Sequence, residues 1–316
     1  MSSLILHHYA ASPYSEKIRS ILGYKGLAWK SVEIPAVMPK PDLIALTGGY
    51  RRTPVLQIGR DVYCDTALIA RVLDRLQPTP ALVPSRYRAS CLAFTKIEKT
   101  LFFSTIPTLF QPAGLKAMLA TYGPEFLDRF SKDRASLLSG GTAQRPSAEF
   151  GKTHFLPLVH ALDQQLEGAP FLLGDVATLA DFCAYHPIWF VLNNSGIAPQ
   201  LDAFKNLHAW VAKMRAFGHG QPSEFAAKDA IEVALTASTI QGFDGPYLEP
   251  EGVRLGQRVK IQATDYGVDP VFGVLMHASV FEVAIKRIDE RAGELVVHFP
   301  RTGFMMTPAS ADPESN

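Results

Sequence analysis

Short apolar segments alternate with segments of helical spacing in the N-terminal part of the chain. Residues 4–9 form a short apolar segment, as in a strand, whereas residues 13–24 repeat apolar side chains at the spacing of an amphipathic helix. The same criteria predict further strands at residues 29–34, 54–58 and 62–64, and further helices at residues 42–46 and 66–76. This order is typical of an α/β domain with a central parallel part and an antiparallel hairpin at one edge.

Helical spacing dominates after a proline-rich break. Pro78, Pro80 and Pro84 interrupt the pattern and indicate a linker. We therefore expect an N-terminal domain over residues 1–78 and an all-helical domain over residues 86–238. Thr178 and Asp181 in this second domain have the spacing of a capping box, which predicts a helix start. The predicted helices are residues 88–103, 125–138, 149–166, 179–193, 203–217 and 224–237.

The pattern changes again after the turn-forming residues 242–246. Apolar and polar residues then alternate with a period of two, which predicts four or five short antiparallel strands. We expect a small, barrel-like β domain over residues 250–306 that docks against the helical domain, since so small a unit buries only about 60% of its unfolded surface. The polar, aperiodic residues 307–316 indicate a disordered tail.

Composition excludes several classes of function. The 316 residues carry 31 basic and 30 acidic side chains, spread along the chain, so nucleic acid and anionic membranes are not expected partners. No segment approaches the about 18 apolar residues of a membrane span, and no basic region precedes the first apolar segment as in a signal peptide. We expect a cytoplasmic protein. Cys64, Cys91 and Cys183 are too far apart to suggest a disulfide framework or a zinc pair, and no metal is expected.

Candidate chemistry lies in the turn between the first predicted strand and helix. Pro13 suits the first helical position, so Ser12 is the expected N-cap. Ionising a bound thiol of pKa about 8.5 at neutral pH costs about 3 kcal/mol. A hydroxyl donor to a charged acceptor supplies about 1.5–3 kcal/mol, and a helix N-terminus about 0.3–1 kcal/mol. Ser12 is therefore suited to stabilise a thiolate, with a plain helix cap as the alternative.

Two further local motifs suit the binding of a peptide-like ligand. A cis bond before Pro54 would turn the backbone of Thr53 outward as a pairing edge, although an ordinary edge-strand proline is the alternative. Thr66 is the expected N-cap of the next helix, whose free amides can bind a carboxylate, while Asp65 can accept an ammonium group. A simple cap is the alternative here also.

These motifs together resemble the glutathione transferase superfamily. The Ser-Pro-Tyr-Ser turn at Ser12, the Thr53-Pro54 pair, the Asp65-Thr66 pair and the later capping motif occur in the order typical of that family. The resemblance spans roughly residues 4–220. It implies a thioredoxin-like N-terminal domain that binds glutathione and an all-α second domain that shapes an adjacent pocket, to which this chain adds the β segment.

The resemblance also implies roles for single residues. Ser12 stands where the family has its catalytic serine or cysteine and would donate to the glutathione sulfur. Thr53, beside a cis Pro54, would pair with the cysteinyl backbone of glutathione. Asp65 and Thr66 would hold the γ-glutamyl ammonium and carboxylate.

The glycyl carboxylate of glutathione needs a cation. Lys40, Arg51 or Arg52 could supply it, and we favour Lys40 and Arg52. Tyr9 is an alternative to Ser12 as the thiolate donor, although packing explains it more simply. A serine at position 12 argues against disulfide exchange through an enzyme thiol, which requires a sulfur nucleophile.

The expected activity is the transfer of glutathione to a small hydrophobic electrophile by a homodimeric enzyme. Phe102, Phe103 and Phe110 would line the pocket of this second substrate or pack in the core. The sequence does not separate transfer from isomerase, lyase or peroxidase chemistry at the same site. The alternative function is that of a non-catalytic protein of this fold that acts through protein contacts of its β domain.

Overall fold

The N-terminal strands and helices form in the predicted order. The computed structural model describes residues 3–238 and 240–309. The bounds of α1 and α3 agree with the prediction, and those of the other elements differ from it by one residue at one end or at both. β1 pairs parallel with β2 and antiparallel with β3, giving the expected thioredoxin-like arrangement. The elements are β1 (Leu4–His8), α1 (Pro13–Tyr24), β2 (Ala28–Glu33), α2 (Pro41–Thr47), β3 (Val55–Ile58), β4 (Asp61–Cys64) and α3 (Thr66–Leu76).

The second region is helical, as predicted. Asp181 accepts hydrogen bonds from the backbone of Thr178 at 2.8 Å and from the indole of Trp210 at 3.0 Å, so the capping motif also fixes neighbouring helices together. One of the helices, α5, was not expected, because Gly114 is its only buried residue and no apolar stripe marks it. The helices are α4 (Arg88–Leu109), α5 (Pro112–Tyr122), α6 (Pro124–Leu137), α7 (Ala148–Gln165), α8 (Leu179–Leu192) and α9 (Lys205–Ala216).

The chain returns to the N-terminal sheet directly after α9. Residues Gln221–Glu224 form β5, which pairs parallel with β2. The following helix, α10 (Ala227–Thr236), begins three residues later than predicted and buries Ile231 in a core that includes Ile5. The part of the chain predicted to be all-helical up to residue 238 therefore contains a strand, and its last helix packs on the sheet of the N-terminal domain.

Five further strands continue the N-terminal sheet instead of closing into a barrel. β9 pairs parallel with β4, so the hairpin of β3 and β4 does not lie at an edge as predicted. The described residues form one ten-stranded sheet in the order β10-β6-β7-β8-β9-β4-β3-β1-β2-β5. The new strands are β6 (Arg258–Ala263), β7 (Val271–Ala278), β8 (Glu282–Asp289), β9 (Gly293–Pro300) and β10 (Phe304–Pro308).

These strands join the N-terminal sheet because β4 would otherwise have a free edge. An apolar strand with unpaired N–H and C=O groups binds a further strand readily, and β9 satisfies those groups, with Val62 opposite Val297. The five strands, which we call the extension, are therefore fixed mainly to the N-terminal sheet and not to the helical domain. Thr307 and Pro308 of the predicted tail belong to β10, while residues 310–316 lie outside the described residues.

The long sheet separates two hydrophobic cores, because successive side chains of a strand point to opposite faces. Leu6 packs with α1, α3 and the helical domain, whereas its neighbour Ile5 packs with α2, α10 and the extension. Cys64, Cys91 and Cys183 are free and buried. None of the helices in the described part of the chain combines the length and the apolar composition of a membrane-spanning segment.

Candidate active site

A cavity of about 680 Å³ opens between the N-terminal and helical domains. Its walls come from the turn before α1, the segment before β3, helices α4, α5, α6 and α8, and the loop between β6 and β7. The predicted site residues on the wall are Ser12, Lys40, Arg52 and Thr53. Residues from both domains and from the extension thus line the same cavity.

Ser12 is the N-cap of α1, as predicted, and is 3% exposed. Its Oγ accepts a hydrogen bond from the backbone N–H of Ser15 at 3.2 Å. Its own backbone N–H donates to the carbonyl of Tyr9 at 3.1 Å, which fixes the turn. Because the cap uses Oγ as an acceptor, the hydroxyl proton can still be donated to a ligand atom in the cavity.

Tyr9 lies beside Ser12 on the same wall. Burial raises the pKa of the Tyr9 phenol and outweighs both the positive charge of Arg134 and a hydrogen bond with Ser12. The phenol therefore stays neutral and is a second hydroxyl at the turn. Tyr9 packs against the hydrophobic core that includes Ile5, as the interpretation favoured from the sequence expects, and it also lies on the cavity wall.

Lys40 reaches the cavity from one side of Thr53. Its Nζ donates to Thr53 Oγ1 at 3.0 Å and to the Arg51 carbonyl at 3.4 Å. Burial lowers the pKa of the Lys40 ammonium to about 8, with help from the nearby charge of Arg134. Both acceptors are uncharged oxygens, so this ammonium is suited to an anionic ligand. Arg51, by contrast, forms an ion pair of 2.8 Å with Asp133 of α6.

Arg52 points to the opposite side of Thr53, towards the start of α3. Its Nη1 lies 3.8 Å from Asp65 Oδ2, and its Nη2 lies 2.5 Å from Asp265 Oδ1. The guanidinium also stacks on the ring of Tyr266, with the central carbon 3.9 Å from the ring centre. Sequence reasoning missed Asp265 and Tyr266, because they follow Arg52 by 213 and 214 positions and form no local motif with it.

The start of α3 differs from the prediction by one residue. Asp65, and not Thr66, is the N-cap, with a positive φ of 74° and its Oδ1 accepting from the Ala67 N–H at 2.9 Å. Asparagine and aspartate tolerate this left-handed region better than threonine does. Thr66 is the first helical residue and is buried, and neither residue belongs to the cavity wall.

The peptide bond between Thr53 and Pro54 is cis. Thr53 lines the cavity, whereas Pro54 is buried behind it and is not on the wall. The structure therefore places Thr53 between the two cations, Lys40 and Arg52, along one side of the cavity.

The remaining walls are mostly aromatic and aliphatic. Phe102 packs against Tyr14 with ring centres 4.8 Å apart and against Phe190 at 6.3 Å. The phenylalanines that line the cavity are Phe102, Phe103, Phe110, Phe126, Phe130 and Phe190.

The charge on the walls has one sign. Among the described residues the walls carry no carboxylate, while five cationic side chains line them: Lys40, Arg51, Arg52, Arg134 and Arg145. An anionic ligand with an apolar reaction partner fits this combination. Within the same described residues, no group of three or more His, Cys, Asp and Glu side chains is placed to hold a metal ion.

Comparison with known proteins agrees with this geometry. Residues 6–81 match the glutathione S-transferase N-terminal domain and residues 110–216 match the C-terminal domain. No curated protein sequence matches the chain. A crystal structure of a GST-like protein from Pseudomonas syringae is 37% identical, with a TM-score of 0.81, over 98% of this chain and 100% of the other.

A glutathione S-transferase from Rhodospirillum rubrum F11 is 17% identical over 67% of this chain and 88% of its own. Its TM-score of 0.52 shows a shared fold. The two domain matches and the similarity to the Pseudomonas syringae protein, which extends over nearly the whole length, show that the chain belongs to the glutathione S-transferase family.

Proposed function

We propose that this protein is a glutathione transferase that stabilises the thiolate of bound glutathione at Ser12 and directs it at an apolar electrophile. One observation carries the proposal: the Ser12 hydroxyl at the start of α1 shares a cavity with the aromatic walls of the helical domain. The cavity holds both a donor for a thiolate and an apolar space next to it.

Contacts with its cysteinyl, glycyl and γ-glutamyl groups would orient the tripeptide on both sides of Thr53. The backbone of Thr53, next to the cis bond to Pro54, pairs with the cysteinyl residue of glutathione. Lys40 binds the glycyl carboxylate. This assignment is supported by the place of Lys40 beside Thr53, on the side away from Arg52.

The γ-glutamyl end lies on the other side of Thr53. Asp65 accepts the ammonium group, and the first-turn amides of α3, including that of Thr66, bind the carboxylate. Arg52 faces Asp65 at 3.8 Å, so we now assign it to this end of glutathione and not to the glycyl carboxylate.

The chemistry requires no covalent enzyme intermediate. The thiol proton leaves to solvent, the Ser12 hydroxyl donates a hydrogen bond to the resulting thiolate, and sulfur forms a bond to the electrophilic carbon while the leaving group departs with its electron pair. Positioning and electrostatic stabilisation are the contributions of the protein. A bulky aromatic electrophile suits the walls formed by Phe102, Phe103 and Phe110. A homodimer in the cytoplasm is also part of the proposal and rests on family membership.

The test is a calorimetric titration with glutathione, followed by an assay of conjugation to a chlorodinitrobenzene probe. We expect binding by the parent protein and loss of most conjugation in Ser12→Ala. Ser147→Ala is the matched control, because Ser147 also caps a helix, accepting from Phe150 N–H at 3.0 Å, but lies outside the cavity wall. Absence of glutathione binding by the parent would overturn the proposed function.

A further inference from the structure

The loop between β6 and β7 crosses one side of the cavity and contacts both domains. We call residues 264–268 of this loop the strap. The backbone N–H groups of Thr142 and Ala143 donate to the carbonyls of Thr264 and Asp265 at 3.1 and 2.9 Å. The N–H of Gly267 donates to the carbonyl of Leu137 at 2.6 Å. These bonds hold the strap against the connection between α6 and α7.

Two glycines allow this close approach. A Cβ on Gly141 would lie 1.9 Å from the carbonyl oxygen of Asp265, which no side chain can tolerate. Gly267 has a positive φ of 55°, and a Cβ there would lie 2.9 Å from Leu137 Cδ1. Glycine is the residue that permits both the left-handed backbone and the close contact. Glycines on both sides of the contact, Gly141 and Gly267, therefore allow the strap to lie this close to the connection between α6 and α7.

The strap presents Asp265 to two cations. One carboxylate oxygen binds Arg52 Nη2 at 2.5 Å, and the other accepts from Lys99 Nζ at 3.0 Å. Arg52 Nε also donates to the carbonyl of Tyr266 at 3.1 Å, in addition to the stacking of its guanidinium on the Tyr266 ring. Two edges of the guanidinium are thus fixed by the strap, and Nη1 is directed at Asp65.

Tyr266 also contacts the turn that holds the candidate catalytic serine. Burial raises the pKa of the Tyr266 phenol, and the phenol of Tyr14, two positions after Ser12, partly counteracts that rise. Its ring packs edge-on against Phe103, with ring centres 5.8 Å apart, and it lines the cavity. The extension therefore reaches the same wall as the residues of the proposed glutathione site.

The distance between Arg52 and Asp65 is informative. A charge-assisted hydrogen bond measures about 2.7–2.9 Å, whereas Arg52 Nη1 and Asp65 Oδ2 are 3.8 Å apart. The two groups therefore do not form a direct hydrogen bond with each other. A zwitterionic amino-acid group can bridge the two side chains from one side, with its carboxylate on Arg52 and its ammonium on Asp65. Arg52, Lys99, Asp65 and Asp265 sum to zero charge, so a neutral zwitterion adds no charge imbalance.

We propose that Asp265 and Tyr266 of the extension are positioning residues of the glutathione site, which hold the Arg52 guanidinium for the α-carboxylate of the γ-glutamyl group. This inference rests on the proposed function. It gives the extension a role inside the site, in the same chain, instead of the role of a docking surface.

The experiment compares two ligands that differ in one group. Glutathione carries the α-carboxylate, and γ-aminobutyryl-cysteinylglycine lacks it but keeps the ammonium group. The dissociation constants of both are measured by calorimetry with the parent and with Asp265→Asn, which keeps the size of the side chain and removes its charge. We expect the parent to prefer glutathione by about tenfold, the equivalent of about 1.4 kcal/mol. We expect this preference to fall below about twofold in Asp265→Asn.

The control is Glu294→Gln. Glu294 also pairs the extension with an arginine of the N-terminal domain, Arg60, at 3.2 Å, but neither residue is on the cavity wall. The Glu294→Gln variant should prefer glutathione over the decarboxylated analogue by the same factor as the parent. Tyr266→Leu, which removes the stacked ring, serves as a second variant if Asp265→Asn does not fold, and Asp265→Glu should retain part of the preference.

The outcomes separate the two proposals. If the parent binds glutathione and both Asp265→Asn and Tyr266→Leu keep the parental preference, the strap has no role in γ-glutamyl recognition and this inference is wrong while the proposed function stands. An equal loss of affinity for both ligands contradicts it too, because the strap then acts only on the structure. If the parent binds neither ligand, the proposed function fails and the inference fails with it.

Discussion

At the scale of single residues, Lys40 is the side chain whose charge changes nearest to neutral pH at the site. Burial lowers the pKa of its ammonium to about 8, so the charged form is present below that pH and is lost above it. If Lys40 binds the glycyl carboxylate, affinity for glutathione must fall as the pH rises through about 8.

S-methylglutathione isolates this effect, because it has no thiol to ionise. We expect its dissociation constant to rise as the pH passes about 8 and to approach that of Lys40→Met at higher pH. Lys40→Met should bind more weakly below that pH and show a flatter profile. A parental profile that coincides with that of Lys40→Met would remove Lys40 from the site.

Residue roles were predictable where the causes are local. The sequence predicts Ser12 as a cap because its neighbour Pro13 suits the first helical position, and the structure adds the bond that Oγ accepts from the Ser15 N–H. The cap of α3 was placed one residue late, since Asp65 and Thr66 both suit that position and the choice depends on the positive φ of Asp65. Tyr266 was not predictable, because only the folded chain brings it to the site.

At the scale of elements, a buried ionic cluster joins α1, α4 and α8 behind the cavity. Lys17 Nζ donates to both carboxylate oxygens of Glu98 at 2.7 and 2.9 Å, and His186 Nε2 contacts the same carboxylate at 2.7 Å. Burial alone raises the pKa of Glu98, but the Lys17 charge and the His186 hydrogen bond outweigh it and hold the pKa at about 2.

Glu98→Gln leaves the Lys17 ammonium buried without its counter-charge. We expect a loss of about 3–5 kcal/mol in the free energy of unfolding, measured by urea denaturation at neutral pH. In the parent, the contribution of Glu98 is present above its unfolded pKa of about 4.3 and is lost as the pH falls towards about 2. A Glu98→Gln protein within about 1 kcal/mol of the parent contradicts this account.

Helices and strands were predictable when their own residues show a periodic pattern of apolar side chains. α3 has its apolar residues on one face and was found from that stripe. β5, with the sequence Gln-Pro-Ser-Glu, is exposed at every position and has no strand pattern of its own. It is a strand because β2 offers a free edge, and a sequence pattern does not report such pairing.

At the scale of the whole molecule, the extension is fixed to the N-terminal sheet through a buried histidine. His298 of β9 contacts Asp61 of β4 at 2.9 Å and Glu282 of β8 at 3.3 Å. Burial lowers the pKa of His298, but the hydrogen bonds to both carboxylates outweigh it and raise the pKa above 6.5. The charged imidazole therefore stabilises the junction between the two parts of the sheet.

A raised folded pKa means that this stability is present at low pH and is lost as the pH rises through that value. We expect the melting temperature of the parent to fall as the pH rises above 6.5, and His298→Gln to melt lower with a weaker dependence on pH. Calorimetry at a series of pH values measures both. Equal slopes for the two proteins would show that His298 is not charged at the junction.

The arrangement of the domains was only partly predictable. The alternation of β9 indicated a strand, but it fits a barrel and an extended sheet equally well. The pairing of Val62 with Val297 joins segments far apart in the sequence, and neither segment encodes its partner. A separate β domain was therefore the natural expectation, whereas the folded chain uses these strands to bury the free edge of β4 and to bring the strap to the cavity.

The pKa of the thiol of bound glutathione tests the central claim most directly. It is measured from the ultraviolet absorbance of the thiolate as a function of pH, in the parent, in Ser12→Ala and in Tyr9→Phe. The account predicts a thiol pKa well below the free value of about 8.5 in the parent and a rise of about 1–2 in Ser12→Ala, from the loss of one hydrogen bond to a charged acceptor. A titration that is unchanged in Ser12→Ala and shifted in Tyr9→Phe would contradict it and assign the thiolate to Tyr9.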